Sequence, residues 1–388
     1  MWWFRSPEVR FGQEALDSLS ALEGSRIFFV TDRNIVKLGI LDMVLSKLES
    51  EKIIFDKFTE VEPEPALETV LLGLEKVRGF RPDWIIGLGG GSCLDAAKAI
   101  SVLYENPEIA AEDISPLNPD IQYRKKAKMI AIPTTSGTGS ETTWATILTS
   151  KQEKRKLSLA HPSIIPDIAV VDPLLIVGLP PRLTAATGFD AMVHAIEAYS
   201  SDWKNDFSDG LALYAIKLIL GNILAACSNP EDIAVREKMH NAASIAGLAF
   251  GNSQAGLIHA LGHTLGAVFK VPHGESLSVV FLNTFSFNSK ACLKLYADIG
   301  RFVGIYRKTD GEVFDELYSI LDKMLTDLKL PKSLKAFGVS REDFENSIEL
   351  LIDNTTADPS SVTTIRPPNN DELRELLVNI YEGTIADI

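Results

Sequence analysis

The sequence predicts an α/β domain with a doubly wound, mostly parallel sheet, followed by an all-α domain. In the first half, short β-rich runs alternate with helical stretches, the pattern of a parallel sheet wrapped by helices. Several of these runs, such as WIIGL and MIAI, are almost entirely apolar, which is typical of strands covered on both faces. After the pair Pro180 and Pro181, nearly every segment has helical periodicity.

The elements follow in this order along the chain. The predicted strands are Arg26–Thr31, Lys52–Phe55, Asp83–Leu88, Lys128–Pro133 and Ile168–Val171, with helices at Ile40–Glu51, Ala66–Arg78 and Leu94–Tyr104. Beyond the proline pair, the predicted helices are Pro181–Ser201, Ser208–Cys227, Ile233–Phe250, Gly256–Phe269, Leu293–Val303, Glu312–Leu328, Arg341–Leu351 and Asp371–Tyr381. Since 388 residues exceed one ordinary core, we expect two domains, residues 1–180 and 181–388.

Composition excludes several classes of partner. The formal net charge of −14 argues against nucleic acid or an anionic membrane, because both are bound through clustered Lys and Arg. Three cysteines without CxxC spacing fit a reducing compartment, and the first residues lack the pattern of a signal peptide, so we expect a cytoplasmic protein. Residues 240–269 carry no charged side chain except histidine, yet their polar residues favour a buried helix pair over a membrane span.

A glycine-rich loop follows the third predicted strand. Gly89, Gly90, Gly91 and Ser92 lie between this strand and a helix, an order that turns free backbone amides and the helix dipole toward a phosphate. The spacing is not GxGxxG, and a simple flexible turn is the alternative, but the position at the carboxyl end of a strand favours a dinucleotide. Asp95 is a further candidate at this site; it complements the helix dipole, but its charge would repel a phosphate, which leaves its role open.

Two further positions qualify as cofactor contacts. Thr134 and Thr135 begin a loop of hydroxyls and glycines after the strand ending at Pro133, where a polar surface loop is the alternative. Asp32 follows the first predicted strand, where a carboxylate would accept from a ribose 2′-hydroxyl and repel a 2′-phosphate. This favours NAD over NADP, although a helix cap is an equally ordinary role for Asp32.

Histidines and one aspartate form a candidate metal site. Asp190 and His194 are four residues apart in a helical segment, and His259 and His263 repeat that spacing, so each pair shares a helix face. His273 follows shortly after. One carboxylate and three of these four imidazoles suit Fe(II) or Zn(II) and leave a position for substrate or water.

These motifs together resemble the iron-containing (group III) alcohol dehydrogenase family. The matching segments span most of the chain in the family's order: GGGSCLDAAK at 89–98, PTTSGTGSE at 133–141, PDIAVVDP at 166–173, TGFDAMVHAIEAY at 187–199 and GLIHALGHTLGAVFKVPHG at 256–274. The resemblance implies a dehydroquinate synthase-like architecture, in which a dinucleotide-binding domain and a helical domain enclose the active site.

The resemblance also implies roles for individual residues. Asp190, His194, His259 and His273 would hold the metal, with Fe(II) favoured and Zn(II) as the alternative, and His263 would lie near nicotinamide and substrate. Gly90, Gly91 and Ser92 would bind the pyrophosphate, Asp32 the adenosine ribose, Thr134 and Thr135 the cofactor nearby, and Lys156 the nicotinamide ribose. Homo-oligomers are usual in the family.

The expected activity is hydride transfer between a primary alcohol or aldehyde and NAD(H). A polyol dehydrogenase of the glycerol type is the nearest alternative. A dehydroquinate synthase-like lyase would need basic residues for a phosphorylated substrate, whereas the segments around the candidate ligands are apolar. A non-enzymatic metal-binding or sensor protein is the alternative from another class, and the presence of every expected ligand argues against it.

Overall fold

The computed structural model describes residues 3–48, 53–150 and 155–385. The chain forms two compact units: residues up to Leu179 together with Glu231–Gly251, and Pro180–Pro230 together with the residues from Asn252 onward. The first unit contains a parallel sheet and the second is helical, so the predicted fold class is confirmed.

Eight strands are present in the described residues. They are β1 Glu8–Phe11, β2 Arg26–Val30, β3 Ile54–Phe58, β4 Trp84–Gly89, β5 Lys128–Pro133, β6 Ala145–Ser150, β7 Arg155–Ala160 and β8 Ile168–Val171. Six of them form a parallel sheet in the order β1-β8-β5-β4-β2-β3, and β6 pairs with β7 in an antiparallel hairpin.

The strand order reverses between β2 and β4. From β2 the chain runs outward to β3, and then returns to place β4, β5 and β8 on the opposite side of β2. The carboxyl ends of β2 and β4 therefore flank a topological switch point, which is where open α/β sheets bind ligands.

Thirteen α-helices occur in the described parts of the chain. In the first unit lie α1 Arg33–Lys37, α2 Ile40–Ser46, α3 Leu67–Phe80, α4 Gly91–Glu105 and α7 Ile233–Phe250. In the second lie α5 Pro181–Ser200, α6 Asp206–Ser228, α8 Leu257–Phe269, α9 His273–Phe302, α10 Asp310–Asp327, α11 Leu334–Phe337, α12 Arg341–Ala357 and α13 Asn370–Glu382. By length and composition alone, α6 could cross a membrane, and core helices meet the same criteria.

Helices cover both faces of the sheet because alternate residues of each strand point to opposite sides. Along β2, Phe28 and Val30 belong to the core that includes residues of α3 and α4, whereas Ile27 and Phe29 belong to the core that includes residues of α2. This double coverage explains why the strands have apolar sequences without polar alternation.

The elements that sequence analysis missed are short or lie apart from the sheet. β1 has four residues and only half-buried or exposed side chains, and the β6–β7 hairpin pairs outside the main sheet. The predicted strand Lys52–Phe55 corresponds to β3, although Lys52 and the predicted end of the helix Ile40–Glu51 lie outside the described residues. The segment before Leu293 is also helical, because α9 begins at His273 and continues through a kink at Cys292.

The predicted division at residue 180 assigned α7 to the second domain, whereas the structure groups it with the first unit. Three contacts between α7 and the 136–141 loop explain the difference. Ser244 Oγ donates to Glu141 Oε1 (2.5 Å), and the His240 ring is hydrogen-bonded to Ser136 Oγ (3.1 Å). In addition, Gly247 packs directly on Gly139. Such contacts between residues distant in sequence leave no periodic signal along the chain.

Candidate functional site

The glycine loop joins β4 to α4 at the switch point. Gly89 has a φ of +147°, and a Cβ there would lie 2.6 Å from Cys93 Sγ. A Cβ on Gly91 would lie 2.7 Å from Thr138 Cγ2, so the fold itself requires both glycines. At Gly90 the backbone is extended and the nearest atom to a Cβ is 3.5 Å away, so the protein alone would accept alanine there. Gly90 is thus the position at which a ligand, rather than the fold, would require glycine.

The second predicted loop packs against the first. Thr134 is buried and its backbone amide donates to Gly89 O (2.9 Å), while the side chain of Thr135 is the nearest neighbour of Gly90. The structure therefore brings Thr134 and Thr135 to the glycine loop, at the carboxyl ends of two adjacent parallel strands. Hydroxyl groups and helix N-terminal amides at such a place can donate to phosphate and ribose oxygens.

Asp95 makes hydrogen bonds within the protein, and its contact with a cofactor stays a prediction. Its Oδ1 accepts from Ser140 Oγ (2.6 Å) and its Oδ2 from the backbone amide of Ile147 (2.9 Å), so both carboxylate oxygens already have protein donors. Burial raises the pKa of Asp95. Lys98, on the same helix, donates to Thr143 Oγ1 and Ala145 O (both 2.9 Å). These contacts fix the polar loop to α4, which is a structural role for Asp95.

Asp32 is a helix cap, as the alternative interpretation of the sequence had it. Its Oδ1 accepts from the backbone amides of Asn34 (2.6 Å) and Ile35 (3.0 Å), which are the first-turn amides of α1. Its Oδ2 accepts from Cys93 Sγ at 3.4 Å, in the first turn after the glycine loop. Burial and Asp32 raise the pKa of Cys93 well above its usual value, so the thiol stays a donor. The Asp32 carboxylate therefore lies beside the glycine loop while it caps α1.

Lys156 is linked to the glycine loop by Glu64, which contacts both Lys156 and Ser92. Its Nζ is 2.8 Å from Glu64 Oε2, and the backbone amide of Glu64 donates to Ser92 Oγ (3.3 Å). Glu64 has a left-handed backbone, with a φ of +56°. The described residues thus give Lys156 an ion-pair partner adjacent to Ser92, and its contact with a nicotinamide ribose stays a prediction.

In the second unit, the predicted metal ligands converge on one carboxylate oxygen. Asp190 Oδ1 lies 3.5 Å from His194 Nδ1, 3.6 Å from His259 Nε2 and 3.5 Å from His273 Nε2. Ligand atoms of Asp190, His259 and His273 all lie within 4.8 Å of one another. The His194 ring stacks on that of His259, with centroids 4.4 Å apart. The structure therefore brings together all four side chains.

Their geometry fits a divalent cation better than a hydrogen-bonded cluster. Asp190 Oδ1 and His259 Nε2 are buried, and neither makes a hydrogen bond to any part of the chain that the structure describes. Buried polar atoms without partners are costly, so a ligand is expected to satisfy them. Two ligand atoms that each lie about 2.1 Å from a tetrahedral ion are separated by about 3.4 Å, close to the spacing found here. The residues present therefore fit a bound metal ion.

Electrostatics also suit a cation. Burial would raise the pKa of Asp190, but His194 and His273 lower it to well below its usual value, so the carboxylate is ionised. Burial lowers the pKa of His194 to about 3, which keeps that imidazole neutral, the form that binds metals. Burial would also lower the pKa of His259, but Glu197 and Asp190 raise it to about 9. A cation at this position would displace the His259 proton.

Small residues allow the helices to approach closely at this cluster. His273 is the first residue of α9, and a Cβ on the next residue, Gly274, would lie 2.4 Å from Ala186 O in α5. α9 can therefore begin against the helix that carries Asp190 and His194. The sequence motif contains Gly274, but the need for glycine there becomes clear only from the packing of α9 against α5.

Glu197 is a residue of this cluster that sequence analysis missed. Its Oε2 is 2.5 Å from His259 Nδ1, and its Oε1 accepts from the backbone amide of Ile258 (2.6 Å) at the start of α8. A Cβ on Gly256 would lie only 3.0 Å from Glu197 Oε1, so the glycine leaves room for this carboxylate. Glu197 holds the ring with Nε2 toward Asp190, as carboxylates do behind metal-binding histidines. A carboxylate three residues after His194 in an apolar helix was the available signal.

His263 lies one turn after His259 on α8, and its ring stacks on that of His273 at a centroid distance of 5.3 Å. Its Nδ1 is hydrogen-bonded to Asp358 Oδ2 (3.0 Å), a partner that no sequence spacing indicates. The other two histidines lie outside this cluster. His161 is hydrogen-bonded to Ser163 Oγ, and His240 is hydrogen-bonded to Ser136 Oγ.

Comparison with known proteins identifies the family. The model named iron-containing alcohol dehydrogenase matches residues 6–173, and the C-terminal model of the same family matches residues 184–381. The chain belongs to the iron-containing alcohol dehydrogenase family. The family and enzyme class predicted from the sequence are thereby confirmed, and the match favours a dehydrogenase over the lyase alternative.

Relatives of this iron-containing alcohol dehydrogenase chain include named enzymes. It is 36% identical over 381 residues to an NADPH-dependent butanol dehydrogenase of Clostridium saccharobutylicum, covering 98% of each chain. It is 34% identical over 411 residues to an aldehyde-alcohol dehydrogenase of Streptococcus pneumoniae, of which it spans 46% while 99% of this chain is matched. Among solved structures, a 1,3-propanediol oxidoreductase superposes with a TM-score of 0.91 at 29% identity, over 98% of this chain and 100% of that one.

Family membership supports a metal ion and a nicotinamide cofactor in this iron-containing alcohol dehydrogenase. Within the described residues, the cluster around Asp190 has side chains that can hold a cation, and the loop around Gly90 has the backbone geometry expected of a phosphate site. Each lies within a single compact unit.

Proposed function

We propose that the chain is a metal-dependent alcohol dehydrogenase that transfers a hydride between a primary alcohol or its aldehyde and NAD(H). The overall reaction converts the alcohol and NAD⁺ to the aldehyde, NADH and a proton. The observation that carries this proposal is the convergence of three imidazoles on the buried, ionised Asp190. That arrangement has a substantial cost in the absence of a cation.

Asp190, His194, His259 and His273 would hold the cation, and Glu197 would orient His259. The ion, when bound, supplies positive charge that lowers the pKa of an alcohol hydroxyl. His263 is the proposed relay for the hydroxyl proton, since its side chain is 16% exposed while that of His259 is 3% exposed. A group with partial access to solvent can pass a proton onward.

In the first unit, Gly90, Gly91 and Ser92 would donate backbone amides to the pyrophosphate, with Thr134 and Thr135 beside them. The cofactor, when bound, supplies the hydride acceptor of the oxidation. Asp32 would accept from the adenosine ribose, and Lys156 would reach the nicotinamide ribose if it leaves its ion pair with Glu64.

We also propose which cofactor and which metal ion the enzyme uses. NAD is favoured over NADP because the carboxylate of Asp32 would repel a 2′-phosphate, even though a relative at 36% identity is NADPH-dependent. Fe(II) is favoured over Zn(II) because the matching family is iron-containing. We further propose a cytoplasmic homo-oligomer with the first unit as the dinucleotide-binding domain and the second as the metal-binding domain.

The test is NADH oxidation at 340 nm with butanal, using protein loaded anaerobically with Fe(II) or with Zn(II). We expect aldehyde-dependent and metal-dependent oxidation that is faster with NADH than with NADPH. A matched control is His161→Asn, which alters a histidine outside the metal cluster. Absence of turnover with either metal, across a panel of alcohols and aldehydes, would contradict the proposal.

A polyol substrate is the second candidate, since a 1,3-propanediol oxidoreductase is among the similar structures. Turnover on butanol, 1,3-propanediol and glycerol, measured side by side, separates the two. A specificity constant at least tenfold higher for butanol would support the primary-alcohol assignment, and the reverse order would support the polyol assignment.

A further inference from the structure

Two histidines on α8, one helical turn apart, each have a carboxylate at Nδ1. His259 Nδ1 lies 2.5 Å from Glu197 Oε2, and His263 Nδ1 lies 3.0 Å from Asp358 Oδ2. His259 directs Nε2 toward Asp190, at 3.6 Å. The second pair has the same chemistry at Nδ1, but its histidine is outside the proposed ligand set, and no function described so far uses Asp358.

Asp358 is itself held in place. It directly follows α12 and caps the short 3-10 helix Pro359–Thr363, with Oδ1 accepting from the backbone amide of Ser360 (2.8 Å). Its Oδ2 is thereby directed at His263. One turn from this contact, Thr355 Oγ1 donates to Thr264 Oγ1 (3.3 Å), which fixes α12 against α8.

The charge of Asp358 decides the direction of the hydrogen bond. Burial would raise the pKa of Asp358, but His263 and the Ser360 amide lower it to about 2. An ionised carboxylate can only accept, so Nδ1 of His263 must be the donor. In a neutral ring with the proton on Nδ1, Nε2 carries the lone pair and is the acceptor.

We propose that Asp358 is a positioning residue that fixes the ring orientation and Nδ1–H tautomer of His263, so that Nε2 is offered as acceptor to the substrate hydroxyl. This inference rests on the proposed alcohol dehydrogenase function. Asp358 acts only through His263.

The first test is Asp358→Ser, because serine preserves the helix cap but is too short to reach His263. We expect kcat to fall about tenfold to a hundredfold, the size typical of losing a carboxylate behind a functional histidine. Bound metal per chain and KM for NADH should change less than twofold. The matched control is Ser340→Ala, which removes the side-chain cap at the other end of α12 and should leave kcat unchanged.

A double-mutant cycle separates positioning from a general structural role. In a His263→Ala background, Asp358→Ser should change kcat less than twofold, because the side chain that Asp358 positions is absent. Asp358→Glu, which keeps a carboxylate, should recover part of the lost kcat. Additive losses in the cycle, or loss of metal from Asp358→Ser, would overturn the proposal. Wild-type protein without metal-dependent NADH oxidation would instead overturn the proposed function itself.

Discussion

The glycine loop offers backbone groups to a ligand, whereas the histidine cluster offers side chains. In the loop, the functional groups are backbone amides at 90–92, and side chains matter chiefly by being small. In the cluster, charged and polar side chains from three helices, α5, α8 and α9, meet at Asp190, and all of them except the half-buried His273 are buried. The loop is contiguous in sequence, whereas the cluster joins residues up to 83 positions apart (273 − 190).

This difference determines how each region should respond to substitution. Removing one member of the cluster leaves the polar atoms of the others without that partner in a largely buried site, so the effects should be large and coupled. Changes in the loop should act on cofactor affinity, provided that the substituted residue fits the fold.

The largest effect is expected from Asp190→Asn. The substitution removes the anionic group that the three imidazoles share, so the protein should purify with little metal. Loss of the cation's contribution, on the order of 4 kcal/mol, would lower kcat/KM about a thousandfold. Metal analysis and turnover, compared with His161→Asn, provide the check. Full metal content in Asp190→Asn would contradict the assignment.

The next effect is expected from Glu197→Gln. The amide oxygen can still accept from Ile258 N, but the charge behind His259 is lost. Metal affinity should therefore fall about tenfold to a hundredfold. Competition with a chelator of known affinity measures the change. An unaltered metal dissociation constant would show that Glu197 only caps α8.

In the loop, Gly90→Ala is the sharpest substitution because the free protein accommodates the added methyl group. The nearest contact of its Cβ is 3.5 Å, so the free energy of unfolding should be almost unchanged. A pyrophosphate on the backbone would collide with the methyl group, and we expect KM for NADH to rise about tenfold. Gly79→Ala is the control, because a Cβ there meets no described atom within 4 Å. Equal KM values for NADH in both variants would show that the cofactor does not contact Gly90.

The smallest effect is expected from Asp32→Ser. Serine keeps the cap of α1 but removes the carboxylate, so stability should change by less than about 1 kcal/mol. The preference for NADH over NADPH should fall about tenfold, which corresponds to about 1.4 kcal/mol. Ratios of kcat/KM for the two cofactors measure this effect. An unchanged ratio would assign Asp32 to helix capping alone.

The sequence was sufficient for features with short-range signals. Apolar strands predicted the parallel sheet, and pairs four residues apart predicted which histidines share a helix face, since periodicity and spacing depend only on local geometry. Thr134 and Thr135 lie beside the glycine loop because the carboxyl ends of adjacent parallel strands lie at one edge of the sheet, and their contact with the cofactor stays a prediction.

Features that depend on tertiary contacts were not accessible in this way. The carboxylate of Asp95 accepts from Ser140 and Ile147, which lie 45 and 52 positions further along the chain, so its position in the helix does not reveal these contacts. The structure groups α7 with the first unit rather than the second, and its contacts with the 136–141 loop leave no periodic pattern in the sequence. The pairing of Asp358 with His263 spans 95 positions, so no local spacing reveals it.

The position of the metal is tested by a crystal structure of the metal-loaded protein with anomalous diffraction measured on both sides of the iron edge. We expect a single strong peak in contact with Asp190, His194, His259 and His273. A peak elsewhere, or none near Asp190 in protein that retains one equivalent of metal, would contradict this expectation.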